Sequence, residues 1–545
     1  MKTMKRKAIC ALAAAMTASA AFSAAACGKT GKGDPNTLKV MVTDAGFGLE
    51  WMYEIAAEFE SVNNVTVKIT PTAETAQEIV KVEQDLNDSD VCFFASSDAV
   101  WNTIRKHKAL NINDVWEAKA SEEEDKTIKE KSLAEYAEAY RMIDNNYYSL
   151  PFITEVGVLG YNVNTLDAVF GKGQWTLPKT TIELTEMCKE IKKGGAYGFA
   201  WSDDTNACYW ELLTESWTAQ YDGAETYNHA RRAEYFDTAA NEWKVDPTGE
   251  TICGYLGRYR VYQQVYDYIK RDDGAGLGGY SHKYCSSMTF IQSQTAFTGG
   301  GYGEVDKKQV AFTPTGSWLF EESKAQIEQY ALGNISCMNA PILSALCEKL
   351  SFYDENKAWD EITDEKRAEY DKALSAIVAY LDGETSEKPV NVGGYTVSEQ
   401  DIERVREARG VATIKDQSHA FIPANSGNPE LAKKFLKFFC SDYAGSLFQS
   451  VTHGYTPFYV KAEETNKHLN DFDKEIASIV TRSDDKVLRW SKTGFYLSTL
   501  APETSFFGSN SQYGKPELLY ARYKEVNMDK GAWAAKLEGA GLKLL

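Results

Sequence analysis

A regular alternation of strand and helix patterns, beginning at Asn36, constrains this chain more than any other feature. Leu38-Lys39-Val40-Met41-Val42 is a short apolar-rich run that Thr43-Asp44-Ala45-Gly46 closes. Leu49, Met52, Ile55, Ala56 and Phe59 then recur at helical spacing. Val65, Val67 and Ile69 alternate with polar residues as a strand does, and Pro71-Thr72 is expected to end that strand. Ala76, Ile79, Val80 and Leu86 mark a second helix. Asp90-Val91-Cys92-Phe93-Phe94 is a third strand, and Ser96-Ser97-Asp98 can cap the next helix. Strand–helix–strand–helix–strand implies a parallel sheet covered on both faces. Ligands in such sheets lie beyond the carboxyl ends of the strands, which puts 43–47 and 95–101 on one rim.

A second unit opens near Leu150-Pro151-Phe152-Ile153, with a strand at Gly157 to Tyr161. Its helices carry Tyr209, Trp210, Trp217, Tyr259 and Tyr262. Residues 345–417 look like a helical, charged insertion, with a turn at Asp382-Gly383-Glu384. Apolar strand signals return at His419-Ala420-Phe421-Ile422, ahead of a helix from Pro429 to Cys440. No fixed-period repeat runs through the chain.

The N-terminus has its own composition. Lys2, Lys5, Arg6 and Lys7 precede an Ala-rich apolar stretch from Ala8 to Phe22, and small residues then lead into Ala24-Ala25-Ala26-Cys27. Residues 1–26 therefore read as a secretory signal peptide, too short and too Ala-rich for a retained membrane span. Cys27 after small residues resembles a bacterial lipobox, with Ala24 where Leu is usual. The alternative is a plain signal cut nearby with Cys27 incidental. Residues 27–36, polar and Gly-rich, read as a tether behind the lipidated Cys. One acyl chain holds a protein only marginally, so a stable anchor implies several.

The 545-residue chain has room for two or more domains. Its formal charge is −19; without the four basic residues of the signal it holds 55 Lys and Arg against 78 Asp and Glu, or −23. That acidity argues against nucleic acid and against charge-driven binding to anionic lipid. The 31 Tyr and 12 Trp supply apolar faces with polar tips, the combination a pyranose ring needs. Besides Cys10 and Cys27 there are eight cysteines, Cys92, Cys188, Cys208, Cys253, Cys285, Cys337, Cys347 and Cys440. No Cys-x-x-Cys pair occurs, so no clustered metal or redox site and no cofactor is expected. An exported chain with eight could form disulfides, but Cys92 in Val-Cys-Phe-Phe and Cys440 after Phe438-Phe439 read as buried free thiols.

Catalytic signatures are weak. Gly274-x-Gly276-x-x-Gly279 follows a polar helix instead of a strand, so it lacks the context of a dinucleotide fingerprint. Ser483-Asp-Asp-Lys486 and Lys492-Thr-Gly494 echo two penicillin-recognising signatures by chance. Trp201-Ser202-Asp203-Asp204 with Tyr209-Trp210 places carboxylates beside aromatic faces. These can grip sugar hydroxyls, cap a helix, or, least well supported, act as a glycosidase acid and base.

Four segments in order carry a resemblance. They are Leu150-Pro151-Phe152 through Gly160-Tyr161-Asn162; Ala311-Phe312-Thr313-Pro314-Thr315-Gly316-Ser317-Trp318; Phe421-Ile422-Pro423-Ala424-Asn425-Ser426 with Asn428-Pro429-Glu430 and Ala432-Lys433-Lys434-Phe435-Leu436; and Gly454-Tyr455-Thr456-Pro457. Together with the lipobox-like start, they resemble the extracellular solute-binding lipoproteins of ABC sugar importers, close in kind to maltose-binding proteins. The resemblance covers nearly the whole mature chain, and the insertion at 345–417 exceeds the family's usual size.

The resemblance implies an α/β, two-lobed, periplasmic-binding-protein-like fold. Each lobe would hold a central, mostly parallel sheet flanked by helices, and hinge strands would cross between lobes that close over a ligand. Lobe 1 would comprise 37–153 and 424–460, and lobe 2 would comprise 154–423 and 461–545. It implies a non-enzymatic, monomeric receptor on the outer face of the cell membrane, held only by its lipid anchor, that passes an oligosaccharide to permease subunits. Trp101, Trp201, Trp210, Trp318 and Tyr455 are the candidate stacking residues, roughly half of these indoles being expected in the core. Asp44, Ser97, Asp98, Glu155, Asp203 and Asp204 are the candidate polar contacts. Two other readings remain open at this point: a secreted glycoside hydrolase and a peptide-binding surface lipoprotein.

Overall fold

A computed structural model describes residues 34–482, apart from 96, 133, 143, 203–209, 232–233, 246–255, 270–278, 355, 416–417 and 459–469, together with 487–490. Cys27, Asp203, Asp204, Cys208 and Cys253, and the Ser483–Lys486 and Lys492–Gly494 motifs, lie outside the described residues. The chain forms two compact units. One runs up to Glu155 and resumes as Lys415–Asp473; the other is Val156–Ile414 and continues from Lys474.

The first unit follows the alternation closely. In order come β1 (Thr37–Thr43), α1 (Glu50–Asn63), β2 (Thr66–Thr72), α2 (Thr75–Glu83), β3 (Val91–Ala95) and α3 (Ser97–Arg105). β1 lies between β2 and β3 and runs parallel to both. β2 takes in Pro71, which pairs with Val42, and ends at Thr72 as expected. Proline is tolerated because β2 is the edge strand, where a missing N–H interrupts no second ladder. α1 ends at Asn64, which takes a left-handed conformation at φ 53°.

The second unit is assembled from β4 (Glu155–Asn162), α4 (Thr181–Lys193), β5 (Tyr197–Phe199), α5 (Trp210–Asp222), α6 (Leu256–Ile269), β6 (Val310–Gly316), α7 (Leu319–Glu322), β7 (Ile335–Met338), α8 (Asp364–Leu381), α9 (Glu399–Arg409) and β8 (Ala412–Lys415). Its sheet is mixed: β4 pairs antiparallel with β6 and β7, and β5 pairs parallel with β6. Pro314 and Gly316 belong to β6 and not to a turn. Pro314 shares the strand side of Phe312, whose carbonyl accepts from Ala200, but β5 has ended before that level. The missing N–H therefore breaks no ladder bond.

The chain then re-enters the first unit as β9 (Ser418–Phe421), α10 (Pro429–Phe439) and α11 (Asp442–Thr452). β9 pairs antiparallel with β3. The Ser418 hydroxyl accepts from the backbone of Phe152 and Ile153, 3.1 Å each. These bonds attach 418–421 to the first unit, so the return falls at 414/415 and not at 424. The last crossing falls after Asp473 and not at 460, because Asp473 is held to His453 at 2.9 Å and to Tyr455 through its backbone carbonyl.

Aromatic packing fills the first unit: the Trp51 ring meets Phe93, Phe152, Phe439 and Phe448 at 5.1–6.2 Å. The core of the second unit draws in the insertion through Tyr370, Leu374, Ile377 and Val405. Buried Arg260 grips Glu348 with two nitrogens at 2.6 and 2.8 Å and Asp360 with a third at 2.7 Å. The described cysteines, Cys92, Cys188, Cys285, Cys337, Cys347 and Cys440, are buried free thiols.

α8 buries Asp371, whose carboxylate accepts from Thr180 at 2.7 Å. Thr180 also caps α4 by accepting from Glu183. Burial pushes the Asp371 carboxyl up to about 7, with nearby Glu183 adding repulsion. A carboxyl raised on folding costs nothing while both states are protonated. Its penalty grows as pH climbs from about 4 to about 7, and is constant above. Asp371→Asn should therefore gain on the order of 3 kcal/mol of stability relative to the native chain between pH 4 and pH 8. Denaturant unfolding at both pH values checks this, and a pH-independent offset would contradict it.

Candidate functional site

The carboxyl ends of β1, β2 and β3 form a rim tied by threonines. The Thr43 and Thr75 hydroxyls are 2.8 Å apart, and the Ala95 amide donates to Thr43 at 3.3 Å. The Asp44 amide donates to the Thr72 carbonyl at 2.9 Å, and the Thr72 hydroxyl accepts from Glu74 at 3.0 Å. Asp44 stands exposed on this rim. Just beyond it, the Phe47 ring lies against Gly454, where a Cβ would stand 2.7 Å from the ring. That contact brings the loop after β1 to the segment carrying Tyr455. Tyr455 is half-buried and donates to the Asp473 carbonyl at 3.2 Å, and burial raises its phenol above the usual range. Thr154 donates its amide to the Tyr455 carbonyl, next to half-buried Glu155 at the start of β4.

Ser97 and Asp98 open α3 on the same rim, and their side chains lie outside the described residues. Trp101, one turn later, is 2 % exposed. Its ring meets His419 edge-on at 4.6 Å and tilts against Tyr140 at 5.5 Å. It occupies the core beneath the rim.

In the second unit the parallel pair β5 and β6 also ends on one rim. The Thr313 hydroxyl ties the two ends together by donating to the Ala200 carbonyl at 3.0 Å. Trp201 follows β5 but turns inward, donating from Nε1 to the Ser281 hydroxyl at 2.9 Å. Trp210, at the start of α5, is fully buried and stacks on Tyr268 at 5.9 Å with 8° between the planes. Trp318 follows β6, immediately precedes the short α7 and is 8 % exposed. Sequence reading did not single out Thr72 and Thr75, which have no periodic signature, or the hydrogen-bonding part of Ser317.

The Asp371 carboxyl, raised toward neutrality by burial, lies on α8 within the insertion and on neither rim. Burial lowers His282, whose amide donates to the Phe199 carbonyl and whose ring packs against Tyr197, to about 4. No group of three His, Cys, Asp or Glu among the described residues could hold a metal ion.

Two comparisons place the chain. The family model for bacterial extracellular solute-binding proteins matches residues 54–472. No curated protein matches. Among solved structures, the apo form of RafE from Streptococcus pneumoniae is similar at 13 % identity and a TM-score of 0.54, covering 94 % of this chain and 100 % of that one. The GacH receptor of Streptomyces glaucescens, solved unliganded and with acarbose, is 14 % identical at a TM-score of 0.53, covering 90 % and 98 %. A chitin oligosaccharide binding protein is 14 % identical at 0.53, covering 91 % and 100 %. At these identities the likeness establishes the two-lobed fold.

The packing of Trp210 generates a test. Trp210→Ala should destabilise the protein by about 3–5 kcal/mol, as truncation of a core indole does. A melting temperature close to the native value would show that the ring is not a core element.

Proposed function

The chain belongs to the bacterial extracellular solute-binding proteins, and on that premise we propose that it captures a carbohydrate outside the cytoplasm and delivers it to an ABC import permease. The observation that carries the reading is the family match, which spans both compact units. The carbohydrate class draws support from the neighbours: RafE has been solved with raffinose, GacH with acarbose, and a third neighbour is named for chitin oligosaccharide. Binding without turnover is the reading that the family match favours over glycoside hydrolysis, which needs two carboxyl groups set across a cleft. Trp318 and Tyr455 are the aromatic residues we assign to the ligand. Asp44, Ser97, Asp98, Glu155, Asp203 and Asp204 are the polar residues we assign to it.

Calorimetric titration with a panel of oligosaccharides tests the proposal directly. One or more should bind without being cleaved, whereas product release, or affinity only for extended peptides, would overturn it. Trp318→Ala should weaken the binding sugar roughly ten- to a hundredfold, taking base–aromatic stacking as the guide. Near-native affinity with a large fall in melting temperature would instead make Trp318 a core residue.

We also assign the anchor to Cys27. No helix among the described residues is long and apolar enough to cross a membrane. Cys27→Ala should release the protein from cells, and mass spectrometry should find acyl chains on Cys27 as the mature N-terminus. An unmodified N-terminus elsewhere would remove the anchor.

A further inference from the structure

We propose that Gly316 and Ser317 are positioning residues for Trp318, holding its indole in one place at the carboxyl end of β6. The first part of the seat is an absence of atoms. A Cβ built on Gly316 would stand 2.1, 2.3 and 2.6 Å from three carbons of the six-membered ring of Trp318. The ring therefore lies directly on the Gly316 backbone, a place no other residue type leaves open. Gly316 needs no special backbone angle here, because it is the last residue of a regular strand paired with Gly157. Its missing side chain matters only for the indole.

The second part is a reciprocal clamp. The Ser317 amide donates to the Val156 carbonyl at 2.9 Å, and the Val156 amide donates to the Ser317 hydroxyl at 3.2 Å. Ser317 is 8 % exposed, so these bonds are shielded from water. Ser317 is thus fixed to β4 through its backbone and its side chain, immediately before the residue whose ring must be placed. Trp318 then starts α7, with its carbonyl accepting from Glu322 at 3.0 Å. A platform fixed on both flanks loses little freedom when a ligand arrives.

The affinity part of this inference rests on the carbohydrate reading, and the positional part does not. The test uses the full mature protein labelled with 5-fluorotryptophan, with the Trp318 fluorine resonance identified by its loss in Trp318→Phe. Without any sugar, Gly316→Ala and Ser317→Ala should shift or broaden that resonance, while Ser317→Thr, which keeps the hydroxyl, should restore it. With the sugar that the native chain binds, Gly316→Ala should lose about tenfold or more in affinity, and Ser317→Thr should stay near native. If Gly316→Ala does not fold, the Ser317→Ala and Ser317→Thr pair decides. An unmoved resonance in folded Ser317→Ala and Gly316→Ala would overturn the proposal. A moved resonance in a chain that binds no sugar would uphold the seat and sink the carbohydrate assignment.

Discussion

The second unit depends on the close packing of β4. This strand pairs antiparallel with β6 on one side and β7 on the other, and β8 adjoins it as well. Such crowding is possible because two of its residues have no side chain. A Cβ on Gly157 would stand 2.9 Å from Leu212, and one on Gly160 would stand 3.1 Å from Thr313. With Gly157 bare, α5 settles onto the strand, and the Ser216 and Thr413 hydroxyls meet at 2.6 Å. The Trp318 turn is built on the same strand through Val156.

In the first unit, sequence-distant segments are held by a few hydrogen bonds and one aromatic cluster. The Ser418 hydroxyl serves two amides, and the Tyr140 hydroxyl donates to the Ser418 carbonyl at 2.5 Å. The Trp51 indole collects rings from β3, from residue 152 and from both returning helices. A rim built on such a base needs little regular structure of its own. Threonine hydroxyls joining strand ends fix the backbone there and leave Asp44 facing solvent.

The insertion is bound to the second unit by buried polar groups as well as by its apolar face. Arg260, at 2 % exposure, is fully paired with Glu348 and Asp360, and Tyr221 adds a bond to Glu348 at 2.6 Å. Pairing of this kind fixes where the helices dock more than it adds net stability. Asp371 is held differently, by the Thr180 hydroxyl. Burial holds it neutral until the pH approaches about 7, so the docking of α8 is expected to weaken as pH rises through that range.

Much of the architecture was legible along the chain. β1, α1, β3 and α10 appear where periodicity puts them, because local burial on one face writes a period of two or of 3.6 into the residues. The rim at 43–47 and 95–101 follows from the parallel alternation alone. Local patterning failed at Pro314, since whether a proline breaks a strand depends on what lies beside it, here the end of β5. It failed also for the indoles. Trp101, Trp201 and Trp210 are as aromatic as Trp318, and composition cannot tell a ring enclosed by His419, Ser281 or Tyr268 from one at a strand end. The sequence by itself determined the order of strands and helices, because each element's buried face recurs along its own few turns. Only the tertiary structure decided where the chain passes between units and which indole has a glycine seat, because these depend on residues such as Val156 and Ser317 or Phe152 and Ser418, which meet only when the sheets form.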